Sequence, residues 1–184
     1  VSRPGVGTRQ RIQDVARELF GQKGVQRTSL QDIADRLGIT KPALYYHFKS
    51  REDLVRSILQ PLIEEGERFV ADQEARAATD PATPRELLEG YFDFHYRHRA
   101  DLVLVVTELT TLADLGLIDK LLAWRERLCA LVFGRRPTLE QATRGVIAFG
   151  GLQDCCLQFP DSPPKRLREA TVTGALAALG VPDA

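Results

Sequence analysis

Tyr45, Tyr46 and His47 stand in a row between Lys41 and Lys49, with Arg51 two residues further on. Aromatic rings can lie against thymine methyls, phenol oxygens can meet phosphates, and the flanking cations can neutralise them. This is the chemistry of holding duplex DNA, and it requires an element thin enough to enter a groove. Other chemistry is less well served. His95 and His98 share a helix face at i, i+3 with Glu108 as a conceivable neighbour, but two histidines without a third ligand do not make a metal site. Cys155 and Cys156 are adjacent, so on a helix they point about 100° apart and cannot readily bond each other. They read as small buried residues, with a thiol sensor as the alternative. No metal and no cofactor is expected. An enzyme with a cysteine nucleophile or metal centre would need a base or ligand set near Cys155, His95 or Cys129, and no motif links them.

The element that must carry Tyr45 and Tyr46 is a short helix inside Gln26 to Arg51. Thr28 with Gln31 three residues later reads as a capping box, which starts a helix at Ser29 and ends it at Leu37. Leu30, Ile33, Ala34 and Leu37 form its apolar stripe. Gly38 permits a sharp turn, Ile39 plugs the corner, and Thr40 caps a third helix over Lys41 to His47. Pro42 falls in its first turn, where backbone N–H groups have no helical partner. Only Ala43, Leu44 and Phe48 in that helix look suited to burial. The candidate DNA contacts are therefore Thr28, Ser29, Lys41, Pro42, Ala43, Tyr45, Tyr46, His47, Lys49 and Arg51, with the N–H groups near Thr28 and Ser29 as a second phosphate site. A three-helix bundle used for protein contacts is the alternative.

The segment Thr8 to Leu54 resembles the DNA-binding domain of the TetR family of bacterial regulators. The resemblance rests on Leu19, Phe20 and Gly24; on Thr28, Ser29, Leu30, Asp32, Ile33 and Ala34; on the Leu37-Gly38-Ile39-Thr40 turn; and on the run Leu44 to Leu54. It covers about 47 residues, and the rest of the chain matches only in being helical and of suitable length. The resemblance implies a repressor that binds a palindromic operator as a homodimer and is released by a small-molecule inducer, with no enzymatic activity.

Composition agrees with a basic reader on a different body. Residues 1–56 hold 11 Lys and Arg against 6 Asp and Glu, whereas the remainder holds 14 against 19, so a net charge of zero hides two opposite halves. No apolar run approaches the ~20 residues that cross a bilayer, and Val1 to Gly7 lacks the apolar stretch of a signal peptide. Three cysteines, an odd number, suit a reducing compartment, and the cytoplasm is expected.

Apolar residues recur at three- and four-residue spacing nearly throughout, so an all-α fold of about nine helices is expected. Residues 1–50 form the helix-turn-helix domain and 51–184 a helical ligand-binding and dimerisation domain. The first helix runs from Thr8 to Lys23 and stops at Gly24. A fourth starts near Arg51 and is kinked at Pro61. A loop spans Glu74 to Pro84. Further helices follow over Pro84–His98, Asp101–Ala113, Leu117–Phe133, Thr138–Gln158 and Lys165–Leu179.

In the body, the resemblance implies a dimer interface and a ligand site. Small residues on the last two helices, Gly145, Ala148, Gly151, Ala170, Gly174, Ala177 and Ala178, would let helix axes approach closely in a four-helix interface, with packing inside one chain as the alternative. Tyr91, Phe94, His95, Trp124 and Phe149 would surround an internal cavity, with Thr107, Glu108, Thr111 and Gln153 as polar contacts. The aliphatic run Leu102 to Val106 points to an apolar or amphipathic ligand.

Overall fold

A computed structural model describes residues 4–107, 109–114 and 116–181, with side chains placed for 7–105, 112–114 and 116–181. Among them are ten helices and no strand: α1 (Pro4–Lys23), α2 (Leu30–Leu37), α3 (Lys41–His47), α4 (Arg51–Arg76), α5 (Pro84–Arg97), α6 (Arg99–Thr107), α7 (Leu109–Asp114), α8 (Leu117–Phe133), α9 (Leu139–Gln158) and α10 (Pro164–Leu179). The all-α reading holds. The segment expected as a single helix, Asp101 to Ala113, is described as α6 and α7 with residue 108 between them outside the described residues, which accounts for ten described helices against nine expected. The first helix also begins earlier than Thr8, and α4 runs on to Arg76, which shortens the following loop.

The chain forms two compact units, Val1–Ile63 with Val103–Ile118, and Glu64–Leu102 with Asp119–Ala184. The sequence reading divides the chain at residue 50; the first compact unit also takes in the first half of α4 and the segment 103–118. In that unit α2 packs on both α1 and α3. Its core joins Ile12, Ala16 and Phe20 of α1, Ile33 and Ala34 of α2, Leu44 and Phe48, and Leu54, Val55 and Ile58 of α4, all buried. The three- and four-residue spacing of these positions is what turns each helix inward. Gly24 and Gly38 end α1 and α2 in the left-handed region, at φ 81° and 67°, which only glycine adopts without a Cβ clash.

In the second unit α9 and α10 pack on each other and both pack on α5. Capping boxes start α5 and α9, from Thr83 with Glu86 and from Thr138 with Gln141. Phe92, Phe149, Leu88, Leu152, Cys156 and Val172 form the fully enclosed part of this core. Pro61 lies within α4.

Candidate nucleic-acid interface

Two devices set the orientation of α3. The N–H of Gly38 reaches back to the carbonyls of Ala34 and Asp35, so α2 ends within one residue. Thr40 then accepts the N–H of Ala43 through its hydroxyl and starts α3, with Pro42 in the first turn. Leu44 and Phe48, four residues apart, fasten one face of α3 to the core. Everything else on α3 is turned away from it. Tyr46 is 83% exposed and Tyr45 40%, although a buried phenol of that size would contribute ~1.5–3 kcal/mol of apolar burial. Lys41, Pro42, Ala43 and Lys49 are exposed, and His47 is half-buried. The ammonium of Lys41 lies 5.8 Å from the Tyr45 ring centroid, and Tyr46 meets His47 edge to face at 5.3 Å. The result is an aromatic and cationic ridge on a helix narrow enough for a major groove.

Ala43 belongs to this outer face, where the sequence suggests burial. Its neighbour Leu44 alone is buried among the residues of α3 itself.

The cap of α2 lies one residue later than expected. Ser29, not Thr28, accepts the N–H of Asp32, and the Asp32 carboxylate accepts the N–H of Ser29. Thr28 is fully buried and donates its hydroxyl to the carbonyl of Gly24 at 2.8 Å, while its own N–H goes to Val25 at 3.1 Å. The N–H groups of Thr28 and Ser29 are therefore both engaged within the chain, which corrects the reading of them as a phosphate site. Lys23 and the two Ser29 donors hold the Asp32 carboxyl well below its usual range, at about 2.

Arg51 is corrected too. Its guanidinium donates to the carbonyls of Val25 at 3.3 Å and Gln26 at 3.0 Å, and to the Gln26 side chain at 3.1 Å. It is a brace for the turn before α2 rather than a free cation. The sequence gives no hint of Arg9, which donates to the carbonyl of His47 at 2.9 Å and stacks 4.3 Å from the Phe48 ring centroid. An arginine at i with its target 38 residues away leaves no local pattern to read.

In the second unit, the aromatic residues singled out do come together. Tyr91 meets Phe149 edge to face at 5.1 Å and His95 at 4.0 Å, and Phe94 meets Trp124 at 6.3 Å. All five are buried, and Gln153 is half-buried. Burial holds His95 neutral, lowering its pKa to about 4, while its Nδ1 pairs with the Tyr91 carbonyl at 2.9 Å. Trp124 donates to Glu67 at 2.9 Å. The side chains of Thr107 and Thr111, and Glu108 altogether, lie outside the described residues. Cys156 is buried and its thiol is pushed up to about 12 by desolvation; Cys155 is half-buried. His98 pairs through Nε2 with Glu65 at 3.1 Å. Among the described residues no cluster of three or more His, Cys, Asp and Glu is placed to hold a metal ion, and no helix is long and apolar enough to cross a membrane.

Gly145 and Ala148 face inward. Ala148 is buried, and a Cβ on Gly145 would strike the sulfur of Cys129, so these two serve packing inside the chain rather than an outer interface. Gly151, Ala170, Gly174 and Ala177 are exposed and Ala178 is half-buried.

Residues 12–58 match the family model described as bacterial regulatory proteins, tetR family. The chain is 36% identical over 87 residues to the HTH-type transcriptional regulator TtgR of Pseudomonas putida, which covers 47% of this chain and 41% of the relative. It is 29% identical over 116 residues to the HTH-type transcriptional repressor KstR2 of Mycolicibacterium smegmatis, covering 60% and 54%. The matches thus span about half the length of these relatives or less. Among solved structures, a transcriptional regulator from Aquifex aeolicus superposes with a TM-score of 0.68 at 26% identity, over 91% of this chain and 96% of the other. The helix-turn-helix of this chain thus matches that of the tetR family of bacterial regulatory proteins over residues 12–58, and the helical fold as a whole is similar to that of a transcriptional regulator of the same kind.

Proposed function

We propose that this chain is a DNA-binding transcriptional regulator without enzymatic activity, a repressor that holds a palindromic operator as a homodimer and lets go when a small molecule binds its helical body. The single observation that carries the DNA reading is the outward face of α3. Lys41, Tyr45 and Tyr46 are left in solvent by a helix whose inner face is fully committed to the core. A solvent-facing phenol row has no part in folding and a direct part in reading a groove. The basic balance of the first 56 residues adds the electrostatic component. KstR2 being named a repressor supports that direction of control.

Dimerisation is supported by the last two helices, where Ile147 is 62% exposed one turn from exposed Gly151 on α9, and the small residues Ala170, Gly174 and Ala177 are exposed on α10. Two copies joined there would present two α3 helices to half-sites about one turn apart, ~34–36 Å. An apolar or amphipathic inducer contacting the Tyr91, Phe94, His95, Trp124, Phe149 and Gln153 region would favour a spacing that cannot span both half-sites. Helix α4 with Pro61 runs through both units and is one covalent path for such a change. The site of action is the cytoplasm.

The test is a gel shift against DNA flanking the chain's own gene. Tyr45→Ala is expected to lose ~1–3 kcal/mol of specific affinity, and Lys41→Ala to weaken binding to all sequences and flatten its salt dependence. Unchanged binding by Tyr45→Ala would remove α3 from the role of reader.

A further inference from the structure

A groove of about 450 Å³ opens along α8, the 134–137 loop and the start of α9, and its Arg125 and Cys129 lie within electrostatic reach of Tyr91 in the aromatic cluster. Its lining on α8 comes from Leu122, Arg125, Glu126, Cys129 and Ala130, which share one face at i, i+3, i+4, i+7 and i+8. Across from them stand Arg135, Pro137, Ala142 and Val146. The volume falls in the range of small-molecule sites, and the walls are mostly apolar.

Its charge is the informative feature. On the same helix Arg127 is saturated, donating to Glu67 at 2.7 Å and to Glu74 at 2.9 and 2.7 Å. Arg125 and Arg135 form no ion pair among the described residues. Glu74 acts on Arg135 through space, but its oxygens are already held by Arg127. Among the described residues Glu126 is the only carboxylate in the lining, so two guanidiniums outnumber it. Arg125 is half-buried, its Nη1 passing 3.8 Å from where a Cβ would stand on Gly150. A half-buried guanidinium fork beside an apolar wall is suited to a carboxylate attached to a hydrocarbon body.

We infer that this groove binds an amphipathic carboxylate, its anionic end between Arg125 and Arg135 and its apolar end against Leu122, Cys129, Ala142 and Val146. This deepens the proposed response to an inducer and rests on that reading only for its effect on DNA. Binding itself is measured directly on the full chain by calorimetry, with decanoate and 2-naphthoate as probes and 1-decanol as the neutral comparison.

Saturable binding of at least one carboxylate supports the site if three results accompany it. Arg125→Gln and Arg135→Gln each weaken it by about tenfold, as for a lost charge-assisted hydrogen bond; Val146→Trp, which fills the groove, abolishes it; and all variants keep the parent helicity. Failure of both carboxylates to bind, equal binding of 1-decanol, or unchanged affinity in the arginine variants overturns it. Addition of the bound carboxylate to the protein–DNA complex separates the two readings. Binding without release of DNA leaves the groove standing and removes it as an inducer site.

Discussion

Arg9 reaches across from α1 to the carbonyl of His47, the last residue of α3, at 2.9 Å, and its guanidinium covers the Phe48 ring. It pins the C-terminal end of the proposed reading helix, while the cap at Thr40 pins the other. Arg9→Ala removes one charge-assisted bond at an exposed position, an effect of ~1 kcal/mol. Operator affinity measured by fluorescence anisotropy is expected to fall about fivefold at that energy, with the melting temperature shifting by only a few degrees. A loss confined to stability, with affinity intact, would make Arg9 a scaffold residue alone.

Arg51 supplies the opposite case. Because its guanidinium braces Val25 and Gln26, Arg51→Ala is expected to lower thermal stability by ~1–2 kcal/mol. The salt dependence of DNA binding is expected to keep its slope, since no phosphate contact is removed. A slope reduced by about one unit would instead return Arg51 to the interface.

These two arginines show where sequence reasoning reached and where it stopped. Periodicity and caps are local, so the helices, the Gly38 turn and the exposure of Tyr45 and Tyr46 were legible from Gln26 to Arg51. Thr28 and Ser29 each head a pattern with a polar side chain three residues on, Gln31 or Asp32, and only packing decides between them; the methyl-bearing Thr28 goes into the core and Ser29 becomes the cap. Arg9, and the choice between Arg127 and Arg125 as the saturated arginine, depend on partners 38 to 60 residues distant. The inward turn of Gly145 depends on Cys129 of the preceding helix. Such relationships are set by tertiary geometry and leave no spacing in the chain.

Gly66 is held against the face of Trp124, whose ring a Cβ would strike, while the indole nitrogen donates to neighbouring Glu67. The ring is fixed at both its face and its edge, so it cannot slide aside. Gly66→Ala is expected to destabilise the chain by ~1–3 kcal/mol through overpacking, even though alanine is the better helix former. Chemical denaturation read by Trp124 fluorescence checks the sign. A stabilised variant would mean that the ring moves freely.

His95 makes stability depend on pH. Burial lowers its folded pKa to about 4 from an ordinary 6.5. Between those values the unfolded chain binds the proton and the folded chain does not. Its contribution is therefore whole above about pH 6.5 and is lost as the pH falls toward 4, by up to ~3 kcal/mol. Urea denaturation at pH 7 and pH 5 is expected to show this loss, and His95→Phe to reduce the difference. An equal pH dependence in both proteins would assign the acid sensitivity to the carboxylates.

Gly151 and Gly174 decide whether the outer face of α9 and α10 is an interface. Each sits inside a helix, and a Cβ placed on either meets nothing within 4 Å in its own chain. In a monomer, Gly→Ala at such exposed sites stabilises the helix by up to ~1 kcal/mol. In a close-packed dimer the added methyl groups meet the partner helices and cost ~1–3 kcal/mol instead. Gly151→Ala with Gly174→Ala is therefore expected to lower the dimerisation constant in sedimentation equilibrium while raising the stability of the dilute, dissociated chain. Operator affinity should fall in step with dimer content, because a single reader engages only one half-site. A double variant that gains stability at every concentration, with an unaltered association state, would place the dimer contact on another face.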